Sequence, residues 1–192
     1  MKTGIYGGTF NPPHVGHLIV AEQVRTELSL DKITFIPSYI SPHKQEGESD
    51  IAEHRLAMTK LAVSSNVKFD CSDIEIAKRE TSYTIITLEQ LKNKNPHDSL
   101  FLIIGMDNYL TFHLWKEPQR ILTMATLVVM NRPGYPQQVN EVIGTKNTVF
   151  IDVPNIDISS SEIRRRVNEQ KSIHYLVPNT VEEYIHSNNL FR

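Results

Sequence analysis

Thr3-Gly4-Ile5-Tyr6-Gly7-Gly8-Thr9-Phe10-Asn11-Pro12-Pro13-His14-Val15-Gly16-His17 reads as a short apolar strand, a glycine turn and the mouth of a helix. The paired glycines let backbone N–H groups come close to an anion, because no Cβ stands in the way. A helix N-terminus adds unpaired N–H donors and a partial positive charge. His14 and His17, at i and i+3, share one face and can donate to the same oxygens. The stretch is therefore a phosphate-handling device at the end of a first strand, which is where doubly wound α/β sheets place their ligands.

The rest of the chain repeats the strand-then-helix unit. Strand-like runs cover Thr3–Tyr6, Ile33–Ile36, Val67–Cys71, Leu100–Ile104, Leu127–Met130 and Val149–Ile151. Most are consecutively apolar rather than alternating, as strands buried on both faces are. Helical spacing predicts helices over His17–Leu28, Ile51–Ser64, Thr84–Asn93, Glu117–Thr123, Ser160–Asn168 and Val181–Ser187. The expectation is a doubly wound parallel sheet with right-handed crossovers and a small C-terminal helical cap packed on the sheet. A strand order 3-2-1-4-5 would make Gly7-Gly8 and Gly105-Met106-Asp107 neighbours at the switch point. Ser38–Asp50 and Asn131–Gln138 read as loops, and loops of that length are more often functional than structural.

Bulk properties narrow the class. At 192 residues the chain fits a single domain that buries roughly 70% of its unfolded surface. A net charge of −2 gives no basic field for nucleic acid. One cysteine, Cys71, excludes an internal disulfide and any multi-cysteine zinc site. There is no secretory leader pattern, and no apolar run approaches the roughly 20 residues of a membrane span. The expectation is a soluble, cytoplasmic protein without membrane or nucleic-acid partners.

No G-x-G-x-x-G fingerprint and no G-x-x-x-x-G-K-[ST] loop is present, so a nucleotide would be held another way. His14-Val15-Gly16-His17 alone is also compatible with a zinc half-site or two structural histidines, but no third ligand accompanies it. The preceding Gly-Gly-Thr-Phe and Pro-Pro favour phosphate contact, and Gly16 permits tight packing at the helix start. Ser159-Ser160-Ser161-Glu162-Ile163-Arg164 forms a second anion device, with hydroxyls at a helix N-terminus and an arginine one turn in. Taken alone it reads as a plain cap; paired with the first motif it reads as phosphate binding, with Arg165 and Arg166 on the surface. Lys44, in Ser41-Pro42-His43-Lys44, is a movable charge suited to a departing polyphosphate.

These motifs resemble the nucleotidylyltransferase superfamily, with its HxGH and SSxxIR-type signatures. Ser41-Pro42-x-Lys44, Ser82-Tyr83-Thr84, Ile104-Gly105-x-Asp107, Trp115, Asn131-Arg132 and Val177-Pro178 extend the likeness over nearly the whole chain. Within the superfamily the chain is similar to the bacterial nicotinate-nucleotide adenylyltransferases. One departure is Asn11, where many members carry Asp; no catalytic role is assigned to it.

The resemblance implies attack by a mononucleotide 5′-phosphate on the α-phosphorus of ATP, with release of pyrophosphate. His14, His17 and Arg164 would be the catalytic groups. Gly7, Gly8, Thr9, Phe10, Gly16, Lys44, Gly105, Asp107, Arg132, Ser160 and Ser161 would hold ATP, with Mg²⁺ arriving on its phosphates. Ser82, Tyr83, Thr84 and Trp115 would receive nicotinate mononucleotide, Thr84 through a helix N-terminus and Trp115 by stacking. Tyr109 and His43 are further pocket neighbours on this reading. A homodimer is implied at family level. The rivals are a phosphopantetheine- or nicotinamide-preferring relative, a nucleotide-binding protein without turnover, and a class I aminoacyl-tRNA synthetase core. The last would need a basic face and greater length.

Overall fold

The computed structural model describes residues 1–40, 52–132, 134–135 and 138–192. Six strands, β1 (Lys2–Gly8), β2 (Lys32–Pro37), β3 (Phe69–Cys71), β4 (Ser99–Gly105), β5 (Ala125–Met130) and β6 (Thr148–Ile151), form one sheet. All pairings are parallel and the order is β3-β2-β1-β4-β5-β6. The chain winds outward from β1 to one edge and from β4 to the other, so β1 and β4 flank the switch point. Register aligns their carboxyl ends with those of their neighbours: Gly8 pairs with Pro37, Gly105 with Met130, and Met130 with Ile151.

Seven α-helices among the described residues cover the sheet: α1 (Val15–Glu27), α2 (Ala52–Val63), α3 (Thr84–Lys94), α4 (Met106–Leu110), α5 (Pro118–Met124), α6 (Ser160–Asn168) and α7 (Asn179–Ser187). The pleat sends alternate residues to opposite faces. Leu102, Ile104, Leu127 and Val129 face α3 and α5 residues such as Leu88 and Ile121. Ile33, Phe35, Ile103 and Val128 face Ala21 and Val24 of α1. Fully burying each such side chain contributes about 1.5–3 kcal/mol, which is why the apolar runs are continuous.

The structure departs from the sequence reading at three points. Helix α1 starts at Val15, with His14 as an extended N-cap. Between β4 and α5 lie α4 and a single 3-10 turn, Phe112–Leu114, that periodicity did not announce. The C-terminal helices pack chiefly on α2 rather than on the sheet: Ile163, Val167, Val181 and Ile185 close a third core with Met58 and Ala62. Lys44 and His43, with most of the Ser38–Asp50 loop, lie outside the described residues. Among the described residues no helix is long and apolar enough to cross a membrane.

Candidate active site

A cavity of about 910 Å³ opens at the carboxyl ends of β1, β4 and β5. The expected catalytic, ATP and acceptor residues that the structure describes all line it. Buried polar atoms are normally partnered. Here Asn11 Oδ1, His14 Nδ1, Ser38 Oγ, Asp107 Oδ1 and Trp115 Nε1 are buried without a partner among the described residues, and all five belong to residues lining this one cavity. These atoms are available to a polar ligand in the cavity.

The imidazoles are placed by α1. The His14 N–H donates to Nδ1 of His17 at 3.1 Å, and the two rings lie 3.6 Å apart, 31° from parallel. His17 Nδ1 therefore carries no proton, which puts the ring proton on Nε2 as a donor. Burial drives His14 down to about 4 and His17 well below its usual value, with the neighbouring His14 and Arg132 charges adding to the effect on His17. Both rings are neutral donors at pH 7. His14 Nδ1 lies against Gly16, where any Cβ would come within 3.0 Å of it, so only glycine leaves the ring in place.

Phe10 sits beneath the site, 3% exposed, with φ +49°. Its ring meets His17 edge-on at 5.1 Å and Tyr6 at 5.7 Å, and a Cβ on Gly8 would strike it at 2.9 Å. Phe10 thus supports the turn and the His17 ring from below.

The second anion device arrives from the far end of the chain. Ser159 is the N-cap of α6, accepting from the Glu162 N–H at 3.2 Å. Ser160 is not the cap. Its hydroxyl donates to the Pro12 carbonyl at 2.8 Å, so its offer to a ligand is its N–H. The N–H groups of Ser160 and Ser161 have no partner among the described residues, as first-turn amides do. Arg164 donates to the Asn11 carbonyl at 2.7 Å and to Ser161 Oγ at 3.3 Å. A third tether joins the Val15 N–H to the Leu176 carbonyl at 3.0 Å. Imidazoles and guanidinium thus flank one short loop, while Arg165 and Arg166 pair with Glu162 and Glu169 outside.

At the switch point Asp107 lies in the first turn of α4 and pairs with Arg132 at 2.5 Å. Its other oxygen folds over Gly105, where a Cβ would sit 2.5 Å away. This leaves one carboxylate oxygen for a hydroxyl donor. Asn131, beside Arg132, ties β5 to the stretch after β6 through the Val153 N–H and carbonyl.

The opposite end of the cavity begins at α3. Its N-cap is Tyr83, which offers no side-chain cap, so the Thr84 and Ile85 N–H groups have no partner among the described residues. Ser82 is engaged elsewhere, its Oγ accepting from the Tyr39 N–H at 2.9 Å. Lys116 lies over the Tyr83 ring at 4.5 Å, and Trp115 packs on Phe112 at 5.0 Å. Tyr109 does not line the cavity. It is buried, donating to the Gly144 carbonyl, while Asn140 fastens to the Tyr109 and Leu110 carbonyls.

Sequence reasoning missed Lys116, Glu75 and Arg55. Glu75 accepts from Thr87 Oγ1 at 2.7 Å, and burial raises its pKa. No spacing rule singles these out; a charged residue in an otherwise apolar helix turn, as Arg55 is in Arg55-Leu56-Ala57-Met58, was the one available signal.

A sequence profile of the Cytidylyltransferase-like family matches residues 5–166. The chain is 40% identical over 190 residues to a probable nicotinate-nucleotide adenylyltransferase of Bacillus pumilus, covering 99% of this chain and 98% of that one. It is 37% identical to the nicotinate-nucleotide adenylyltransferase of Bacillus subtilis, with the same coverage. In three dimensions it is similar to the Plasmodium falciparum nicotinic acid mononucleotide adenylyltransferase complexed with NaAD. That likeness has a TM-score of 0.79 at 21% identity, over 100% of this chain and 98% of that one.

Proposed function

This chain belongs to the cytidylyltransferase-like family and, within it, to the nicotinate-nucleotide adenylyltransferases; we propose the following use of its site. The enzyme transfers the adenylyl group of ATP to nicotinate mononucleotide, giving nicotinate adenine dinucleotide and pyrophosphate in NAD biosynthesis. One observation carries the assignment of residues: the imidazoles at the start of the chain and the α6 terminus near its end share one loop and one cavity.

The acceptor 5′-phosphate oxygen attacks the α-phosphorus, and the bond to the α–β bridging oxygen breaks as pyrophosphate leaves. Such transfers ask for positioning and charge stabilisation rather than covalent work by the protein. His14 and His17, held neutral, donate to phosphate oxygens as charge builds on them. Arg164 and the Ser160 and Ser161 amides receive the β- and γ-phosphates, with the Lys44 charge as a further partner. Gly7, Gly8 and Thr9 line the adenosine side, Asp107 accepts from ribose hydroxyls, and Arg132 adds positive charge beside His17. The groups facing the phosphates are amide, imidazole and guanidinium N–H donors, not the oxygen ligands that Mg²⁺ takes. Mg²⁺ would therefore enter on ATP, ligated by phosphate and water, and supply charge neutralisation there.

At the other end the uncapped α3 terminus, with Lys116 nearby, suits a carboxylate over a neutral amide. Thr84 would bind that carboxylate, Trp115 would stack on the pyridine ring, and Ser82 and Tyr83 would shape the pocket. The test is pyrophosphate release from Mg-ATP with nicotinate mononucleotide, nicotinamide mononucleotide and phosphopantetheine in parallel. Release is expected to be fastest with the first; preference for the third, or no release at all, would overturn the reading. A homodimer and a cytoplasmic location accompany the proposal, and light scattering at twice the 22.0 kDa chain mass would support the former.

A further inference from the structure

Arg55 lies on α2, outside every phosphate-handling motif of the sequence, and is 0% exposed. Its guanidinium donates from one Nη to the Thr9 carbonyl at 2.8 Å and from the other to the Tyr39 carbonyl at 2.9 Å. Thr9 belongs to the glycine turn that follows β1. Tyr39 follows β2, and its N–H donates to Ser82 Oγ at 2.9 Å. The Ser82 N–H returns to the Ile40 carbonyl at 2.9 Å, two residues before α3 begins at Thr84. One buried side chain thus joins the turn at the triphosphate end to the strand end that carries the acceptor pocket.

The bond to Thr9 also orients the turn. In a trans peptide the carbonyl and the next N–H point in opposite directions. Fixing the Thr9 carbonyl on Arg55 turns the Phe10 N–H away from α2. The Gly8 carbonyl is held in the same manner by the Ser38 N–H at 2.9 Å. A turn that meets phosphate needs its carbonyl oxygens directed elsewhere, because oxygen facing oxygen repels.

We infer that Arg55 is a positioning residue for adenylyl transfer: by gripping the Thr9 and Tyr39 carbonyls together it sets the distance between the α-phosphorus of ATP and the acceptor phosphate. The inference rests on the transferase reading above. A planar two-pronged donor is required, since an ammonium offers a single nitrogen centre and cannot span two carbonyls in the same geometry.

The experiment compares Arg55→Lys and Arg55→Met with the parent, measuring kcat, KM for both substrates and Tm. A misplacement of about 1 Å can cost on the order of 100-fold in rate. Arg55→Lys is expected to fold with kcat lowered roughly 10- to 100-fold and both KM values within about threefold, and Arg55→Met to lose more. The deficit should persist at 10 °C, far below Tm. Three results would overturn the inference: kcat within twofold of the parent, a deficit that vanishes on cooling, or no folded protein from either variant. A parent that releases no pyrophosphate with any acceptor would instead sink the transferase reading, and the inference with it.

Discussion

At the end of the cavity that carries the histidines, two contiguous stretches, Gly7 to His17 and Val153 to Arg164, supply much of the lining, and three long-range bonds pin the first to the C-terminal segment. At the proposed pyridine end, α3, a 3-10 turn and Trp115-Lys116 each contribute a residue or two, and Leu114 and Lys116 stand exposed. The first end is cross-tied through long-range bonds and built around neutral imidazoles; the second is built around an uncapped helix. The contrast separates two kinds of work. Transition-state donors must be fixed before substrate arrives, whereas discrimination between acid and amide needs a field and a stacking face.

Four measurements would break or sharpen this division. His17→Ala should lower kcat by about 10²–10³ with little change in KM, because one preorganised donor is lost. An unchanged turnover number would remove His17 from the chemistry.

Stability against pH should differ in sign between the two ends. His14 has a folded pKa near 4, below its unfolded 6.5, so the unfolded chain binds the proton first. Its contribution is complete above pH 6.5 and is lost as pH falls toward 4, on the order of 3 kcal/mol in all. Glu75 is raised by burial, so its folded form takes the proton first and gains stability as pH falls through the window above 4.5. Urea midpoints between pH 7 and 4.5 should therefore fall less steeply in His14→Gln and more steeply in Glu75→Gln than in the parent. Equal slopes would erase the distinction.

Gly105→Ala sets a Cβ against the Asp107 carboxylate and should loosen its pairing with Arg132. ATP KM should rise about tenfold, the loss of one charged hydrogen bond, while the acceptor KM stays put. The smallest effect is expected from Thr84→Ala: acid-over-amide preference reduced about three- to tenfold with kcat nearly intact. Unaltered discrimination would remove Thr84 from recognition.

The same contrast explains what could be read without coordinates. The sheet was legible because strands buried on both faces are written as unbroken apolar runs, and Gly7–His17 because its residues are contiguous in sequence and line one cavity. The proposed pyridine end rests, in the sequence, on resemblance alone. Helix α4 has five residues, too few for a period, and Asn140 holds it in place across a sequence separation of about thirty residues. Arg55 looks like an ordinary helix cation until its two carbonyl partners, 46 and 16 residues away, are seen. Of three successive serines, backbone geometry alone selects Ser159 as the cap.

The bonds from Arg164, Ser160 and Leu176 to the loop between Asn11 and Val15 have a bearing on biosynthesis. A ribosome that has released every strand, through Ile151, has made a complete sheet but an unfinished catalyst. The loop that carries the histidines gains these three partners only once α6 and Leu176 have emerged, well after the last strand is made.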